Sequence, residues 1–142
     1  MFIPIRDIMS TDLVTVKPET KARDIIHLFQ KHDFHHLPVV KGRKVMGIIS
    51  KLDLLDFFED MSTWVDNRDQ TKYLVENTVA SELMTKDPVT VKPDDSVEFA
   101  IGIFRENFFH SLPVVDKGKL VGILTTYDVL CNAFKPNFID VP

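Results

Sequence analysis

Apolar positions along this chain switch between two rhythms, and the switching happens twice. Val14-Thr15-Val16 is a β-branched run closed by Pro18, which reads as a short strand. Ala22, Ile25, Ile26 and Phe29 then fall at i, i+3, i+4 and i+7, one face of a helix, with Thr20 as its expected N-cap. Residues 37–40 and 44–49 read as two strands joined by a turn at Lys41-Gly42-Arg43. A second helix starts near Ser50 and runs through Leu54, Leu55, Phe57 and Phe58. The same order returns downstream. Val89-Thr90-Val91 precedes Pro93, and Asp95 or Ser96 is expected to cap a helix with the stripe Val97, Ala100, Ile101, Phe104. Strands at 112–115 and 119–124 flank Asp116-Lys117-Gly118, and a last helix begins near Thr125 and includes Val129, Leu130 and Ala133. The pattern is β-α-β-β-α, repeated.

Residue identities make the repeat a duplication. From Met9/Met84 to Leu55/Leu130 the two stretches align without a gap at an offset of 75, and 20 of the 47 pairs are identical. Copies are expected at 1–60 and 78–137, with 61–77 as linker. That linker is polar at Asp66-Asn67-Arg68-Asp69-Gln70 but carries Trp64, Tyr73 and Leu74; an extended second helix followed by a connection is expected there. One copy alone buries too little apolar surface for comfortable stability. The fold class expected is therefore mixed α/β (α+β), two β-α-β-β-α repeats packed with pseudo-two-fold symmetry around a cleft.

Composition narrows the function. The 142 residues are 44% hydrophobic and 27% charged, with a net charge of −4, which fits a globular protein and disfavours a dedicated nucleic-acid binder. No apolar run approaches the roughly 20 residues of a membrane span, and the first residues lack the layout of a signal peptide. With a single cysteine, Cys131, these features suggest a cytoplasmic setting without membrane insertion. Cys131 lies in an apolar helical stretch and is expected to be packed rather than nucleophilic.

The repeated motifs carry a family resemblance. A strand ending in Thr-Val-Lys-Pro (15–18 and 90–93), a helix, the strands begun by His35-His36-Leu37-Pro38-Val39-Val40 and His110-Ser111-Leu112-Pro113-Val114-Val115, and the turns Gly47-Ile48-Ile49-Ser50-Lys51-Leu52-Asp53 and Gly122-Ile123-Leu124-Thr125-Thr126-Tyr127-Asp128 together resemble a tandem pair of CBS domains, often called a Bateman module, of the free-standing type. The resemblance covers about residues 5–134. It implies a non-enzymatic regulatory module that binds adenosine ligands (AMP, ADP or ATP, sometimes S-adenosylmethionine) in the cleft, forms disc-like homodimers, and signals to an effector protein it does not identify.

The motif residues suit that chemistry. Where a strand ends and a helix begins, free N–H groups and the positive helix end favour an anion. Ser50 and Thr125 can donate a hydroxyl to a phosphate, and Asp53 and Asp128, one turn on, can accept from ribose hydroxyls. The alternative is that all four only cap their helices. The resemblance implies that His35, His36 and His110 face phosphates, with Lys51 a further candidate; the alternative is packing at a strand edge. It also implies an adenine pocket along the first strand of each copy, at Asp12, Val14, Asp87 and Val89, with Val39 or Val114 covering a face of the base. His36 and Lys51 stand where the second copy has Ser111 and Thr126. That difference predicts unequal sites, the first preferring more phosphate.

Other chemistries find little support. His32, His35 and His36 straddle a helix end and a strand start, so no metal site is expected. No phosphate-binding glycine loop, nucleophile elbow or Cys-x-x-Cys motif is present, so no catalytic residues are assigned. Magnesium could accompany a polyphosphate, but no obligatory cofactor is expected. Residues 52–61 are apolar on more than one face, which suggests a subunit contact or cover by the segment carrying Trp64. The competing readings are a structural or protein-docking module without ligand, and a sensor of S-adenosylmethionine, a metal ion or single-stranded nucleic acid.

Overall fold

A computed structural model of the chain describes residues 2–62, 68–107 and 109–139. Trp64, Asp66 and Asn67 lie outside the described residues. The helices are α1 (Ala22–Lys31), α2 (Lys51–Ser62), α3 (Arg68–Asn77), α4 (Ala80–Leu83), α5 (Val97–Asn107) and α6 (Thr126–Ile139). The strands are β1 (His36–Lys41), β2 (Lys44–Ser50), β3 (Thr85–Lys86), β4 (Ser111–Asp116) and β5 (Lys119–Thr125). The stretch expected as linker is thus largely the helix α3.

The copies of the sequence and the compact units of the structure are not the same stretches. One unit is continuous, Val14–Pro88; the other is discontinuous, Met1–Leu13 together with Val89–Pro142. Each unit begins its sheet and ends it with borrowed or late sequence. In the continuous unit β1 pairs antiparallel with β2 and β2 with β3. In the discontinuous unit β4 pairs with β5, and Ser10 bridges Ile123 where Thr85 pairs with Ile48 in the other sheet.

The segments leading into each copy are therefore exchanged. Ala22 N–H, at the start of α1, donates to the Thr78 carbonyl at 2.8 Å, and Val97 N–H, at the start of α5, donates to the Ile3 carbonyl at 2.8 Å. Met84 packs on Gly47 and Met9 on Gly122. A Cβ at Gly47 would stand 2.5 Å from the Met84 sulfur and 2.7 Å from the Thr85 carbonyl, so the leader lies where any side chain would have to be.

The runs expected as first strands shrink to single bridges, and proline explains why. Val16 N–H donates to the Pro38 carbonyl at 3.0 Å, and Val40 N–H donates to the Val16 carbonyl at 2.8 Å. The next parallel bonds would need an N–H from Pro38 toward Val14 and from Pro18 toward Val40, and proline has none. Pro93 and Pro113 limit Val91, bridged to Val114, in the same way.

The helical stripes form the cores. Ala22, Ile25 and Phe29 pack with Leu37, Val39 and Ile49 in the continuous unit; Val97, Ala100 and Phe104 pack with Leu112, Val114 and Leu124 in the other. Ile5, on the exchanged leader, is fully buried in that second core. Ser96 caps α5, its Oγ accepting from Phe99 N–H at 3.0 Å. Thr20 does not cap α1: Lys21 holds the cap position without a side-chain bond, and Thr20 Oγ1 accepts from Lys17 N–H at 3.0 Å, closing the preceding turn. Asp95 does the same for Lys92. Cys131 is exposed, against the expectation of a packed thiol. α6 presents apolar residues on several sides, and Tyr127, Leu130 and Cys131 fall on the side away from the core.

Candidate functional site

In the continuous unit the candidate side chains meet where β2 becomes α2. Ser50 is the last residue of β2 and pairs with His36 across the hairpin. Lys51 N–H donates to the His35 carbonyl at 2.9 Å, which ties the start of α2 to the start of β1. Ser50 Oγ accepts from Asp53 N–H at 2.9 Å, and Asp53 Oδ2 accepts from Ser50 N–H at 3.2 Å. This reciprocal pair is a capping box with aspartate in the place more often held by glutamate. His35 and Lys51 are exposed; Ser50, His36 and Asp53 are half-buried.

The discontinuous unit repeats the construction. Thr125 ends β5 and pairs with Ser111. Thr126 N–H donates to the His110 carbonyl at 3.0 Å. Asp128 N–H donates to Thr125 Oγ1 at 3.0 Å, and Thr125 N–H donates to Asp128 Oδ2 at 2.9 Å. His110 is exposed.

These bonds alter the electrostatic expectation. A helix start leaves four N–H groups without partners. Here the Ser50, Lys51 and Asp53 groups are all taken, which leaves Leu52 N–H as the first-turn donor without a partner among the described residues; Tyr127 N–H is its equivalent. The open donors are therefore fewer than the sequence suggested. The carboxylates keep more capacity. Oδ2 of each serves the cap, and Oδ1 points to what else the site holds.

The adenine candidates divide. Val39 and Val114 are fully buried in the two cores, because β1 and β4 turn these side chains inward; neither has side-chain surface for a ligand. Val14 is half-buried, and Asp12, Asp87 and Val89 are exposed. Asp87 adopts φ 46°, before Pro88, with its N–H donating to the Met46 carbonyl at 3.3 Å. Asp12 and Val14 fall in different units, as do Asp87 and Val89, because the chain crosses between units at these points.

Two further features surround α6. Ser10 Oγ donates to Asp128 Oδ1 at 3.4 Å; local sequence spacing could not reveal this pair, since 118 positions separate the two residues. Tyr127 titrates above its ordinary value, chiefly through a hydrogen bond with the Cys131 thiol and also through the negative charge of Cys131 and Asp128. His32 stacks on Phe34, ring centroids 5.1 Å apart, and among the described residues no group of three or more His, Cys, Asp or Glu is placed to hold a metal. No helix among them is long and apolar enough to cross a membrane.

The family model of the CBS domain matches residues 5–60 and 79–133. A crystal structure of CBSX2, a protein of Arabidopsis thaliana, in complex with AMP is 31% identical, with a TM-score of 0.77 over 94% of this chain and 97% of that one. The CBS domain-containing protein YhcV of Bacillus subtilis is 27% identical over 128 residues, 90% of this chain and 84% of YhcV. The inosine-5'-monophosphate dehydrogenase of Korarchaeum cryptofilum is 31% identical over 128 residues, 88% of this chain but 23% of the enzyme. The chain spans less than half the length of the first curated relatives it matches.

Proposed function

This chain belongs to the CBS domain family, and from that premise we propose that it is a non-enzymatic regulatory module that binds AMP, ADP or ATP at the sheet-to-helix junction of each unit and passes their occupancy, and so energy status, to a partner protein. The observation that carries the reading is the duplicated junction itself. At both, a Ser or Thr and an Asp are held within one helical turn beside a strand-start histidine, at the same register. The relative whose structure holds AMP supports adenosine as the recognised group.

Each residue has a physical role in this reading. Asp53 and Asp128 accept from ribose hydroxyls through Oδ1 while Oδ2 stays in the cap. Leu52 and Tyr127 N–H, with His35, His36 and Lys51 in one unit and His110 in the other, face phosphate oxygens. Exposed main chain near Asp12 and Asp87 reads the edge of the base. The ligand then acts by differential affinity for two conformations of the module, as any effector must. Exposed Leu52 and Leu55 on α2, and Tyr127 and Leu130 on α6, support a homodimer contact. The single cysteine supports a reducing compartment such as the cytoplasm.

One observation favours a second reading. Both capping boxes are complete without a ligand, which is what a protein-docking module with silent sites requires. Thermal unfolding with AMP, ADP, ATP, S-adenosylmethionine and GTP, each with and without Mg²⁺, separates the two. A ligand at about 100 times its dissociation constant adds roughly 2.7 kcal/mol of stability, several degrees for a chain of this size. The expected result is a shift with adenosine nucleotides that is absent in Asp53→Ala/Asp128→Ala, each compared with its own ligand-free melting point. No shift with any nucleotide would favour the docking module, and a shift with S-adenosylmethionine alone would change the ligand.

A further inference from the structure

The two junctions are built alike, yet they hold their carboxylates differently. Ser10 is fixed on the edge of β5 by its backbone, its N–H donating to the Ile123 carbonyl at 2.9 Å and its carbonyl accepting from Ile123 N–H at 3.0 Å. From there its hydroxyl reaches Asp128 Oδ1 at 3.4 Å. In the continuous unit Thr85 takes the same place beside Ile48, but no hydroxyl among the described residues bonds Asp53 Oδ1. Because Oδ2 of each aspartate serves its cap, Oδ1 is the oxygen open to a newcomer. Among the described residues it is uncommitted at Asp53 and engaged at Asp128.

We propose that Ser10 is a positioning residue that ranks the two sites, so that the Asp53 site fills first and the Asp128 site fills only as Ser10 releases its carboxylate. This deepens the adenosine-nucleotide reading above and rests on it. A diol arriving at Asp128 competes with the Ser10 hydroxyl for Oδ1, whereas one arriving at Asp53 meets no such hydroxyl among the described residues. A hydrogen bond to a charged group is worth about tenfold or more in an equilibrium; at 3.4 Å, longer than the usual O–H···O range, the handicap is about three- to tenfold. Charge acts in the same direction, since Lys51 follows Ser50 where Thr126 follows Thr125. The segment that supplies Ser10 belongs in sequence to the first copy, so the leader of one copy sets the affinity of the other copy's site.

Isothermal titration with AMP of the full chain and four variants tests this. The wild type is expected to show two binding phases. Asp53→Ala removes the tighter and Asp128→Ala the weaker. Ser10→Ala strengthens the weaker phase about three- to tenfold, leaving the tighter phase unchanged and lowering the ligand-free melting point by a few degrees, because the empty site loses the same hydrogen bond, while Ser10→Thr, which keeps the hydroxyl, retains the wild-type gap. Loss of the tighter phase in Asp128→Ala, or an unchanged weaker phase in Ser10→Ala, overturns the ranking while adenosine binding stands. No AMP binding by the wild type overturns the nucleotide reading itself, and the ranking with it.

Discussion

Among the described residues one carboxylate oxygen of Asp53 is left open, whereas both of Asp128 are engaged, although the same strand-to-helix turn carries each. The comparison runs through both units. Their hairpins carry a bulge at the same step, between Val39 and Val40 and between Val114 and Val115, yet they turn differently. Gly42 alone takes positive φ in the first, whereas Lys117 and Gly118 both do in the second, which is the geometry of a primed turn with two left-handed residues. Around α1 the neighbouring helix α3 supplies Glu76, whose Oε2 accepts from Arg23 at 2.7 Å; at the matching place on α5 stands an exposed residue of the opposite charge, Glu98. A duplicated fold thus keeps its core and its strand-to-helix junctions under tight constraint, because both copies need them to fold. Rims and leaders are free to diverge, and differences in ligand response are written there.

Substitutions at matched positions test how far that equivalence goes. The largest effects belong to the cores. Leu37→Ala and Leu112→Ala remove fully buried side chains at the same place, and each is expected to cost about 2–5 kcal/mol, equally within about 1 kcal/mol, by urea denaturation. A large inequality would mean that one core relaxes around the hole and the other does not.

The glycines beneath the leaders come next and should separate the units. Gly47→Ala meets the Thr85 carbonyl at 2.7 Å, whereas Gly122→Ala meets the Ser10 carbonyl at 3.1 Å. A backbone oxygen cannot swing aside as a methionine side chain can, so about 2–3 kcal/mol is expected at Gly47 and about 1–2 at Gly122, again by denaturation. Equal costs would show that both leaders yield alike.

Caps give a smaller asymmetry. Ser96→Ala should lower stability by about 1 kcal/mol, and Thr20→Ala by no more than about half of that, since Thr20 closes a turn rather than capping α1. Melting points of the two variants decide it.

The smallest effect is spectroscopic. Cys131→Ala removes the hydrogen bond that chiefly raises Tyr127, so the phenol should titrate at lower pH than in the parent, followed by its ultraviolet absorbance. The continuous unit has Leu52 and Asp56 at the matching positions and gives no such signal. An unmoved titration would assign the shift to Asp128 instead.

Much of this was legible in the chain. The stripe of Ala22, Ile25, Ile26 and Phe29 names a buried face whatever it packs against, and the offset of 75 transfers each reading to the second copy. The reduction of the first strands to bridges was legible too, since Pro18, Pro38, Pro93 and Pro113 remove the donors a parallel ladder needs. Thr20 was misleading because a threonine before a helix serves a turn as readily as a cap, and only the position of the next N–H decides. The pairing of Ser10 with Asp128 left no trace in local pattern. Periodicity reports which way a side chain faces, not which distant segment it meets. Val39 and Val114 make the converse point: the family resemblance offered them to the base, while the unbroken apolar runs Leu37-Pro38-Val39-Val40 and Leu112-Pro113-Val114-Val115 mark strands buried in a core.

The exchange of leaders also sets a timetable. During synthesis the continuous unit can close as soon as Pro88 has cleared the ribosome, since all its parts are then present. The segment through Ser10 meets no partner before Pro93 emerges and is not fully seated until Ile123 does. At typical elongation rates of 5–20 residues per second that wait lasts roughly 5–20 seconds, during which Ile5 and Met9 are apolar side chains with no core to enter. The second unit is then completed by a contact spanning most of the chain, the kind that forms slowly because its loop entropy must be overcome first. The nascent protein therefore passes through a stage with one sheet finished and one apolar strap unattached, and it is at that stage that a neighbouring chain of the same sequence can accept the strap in trans.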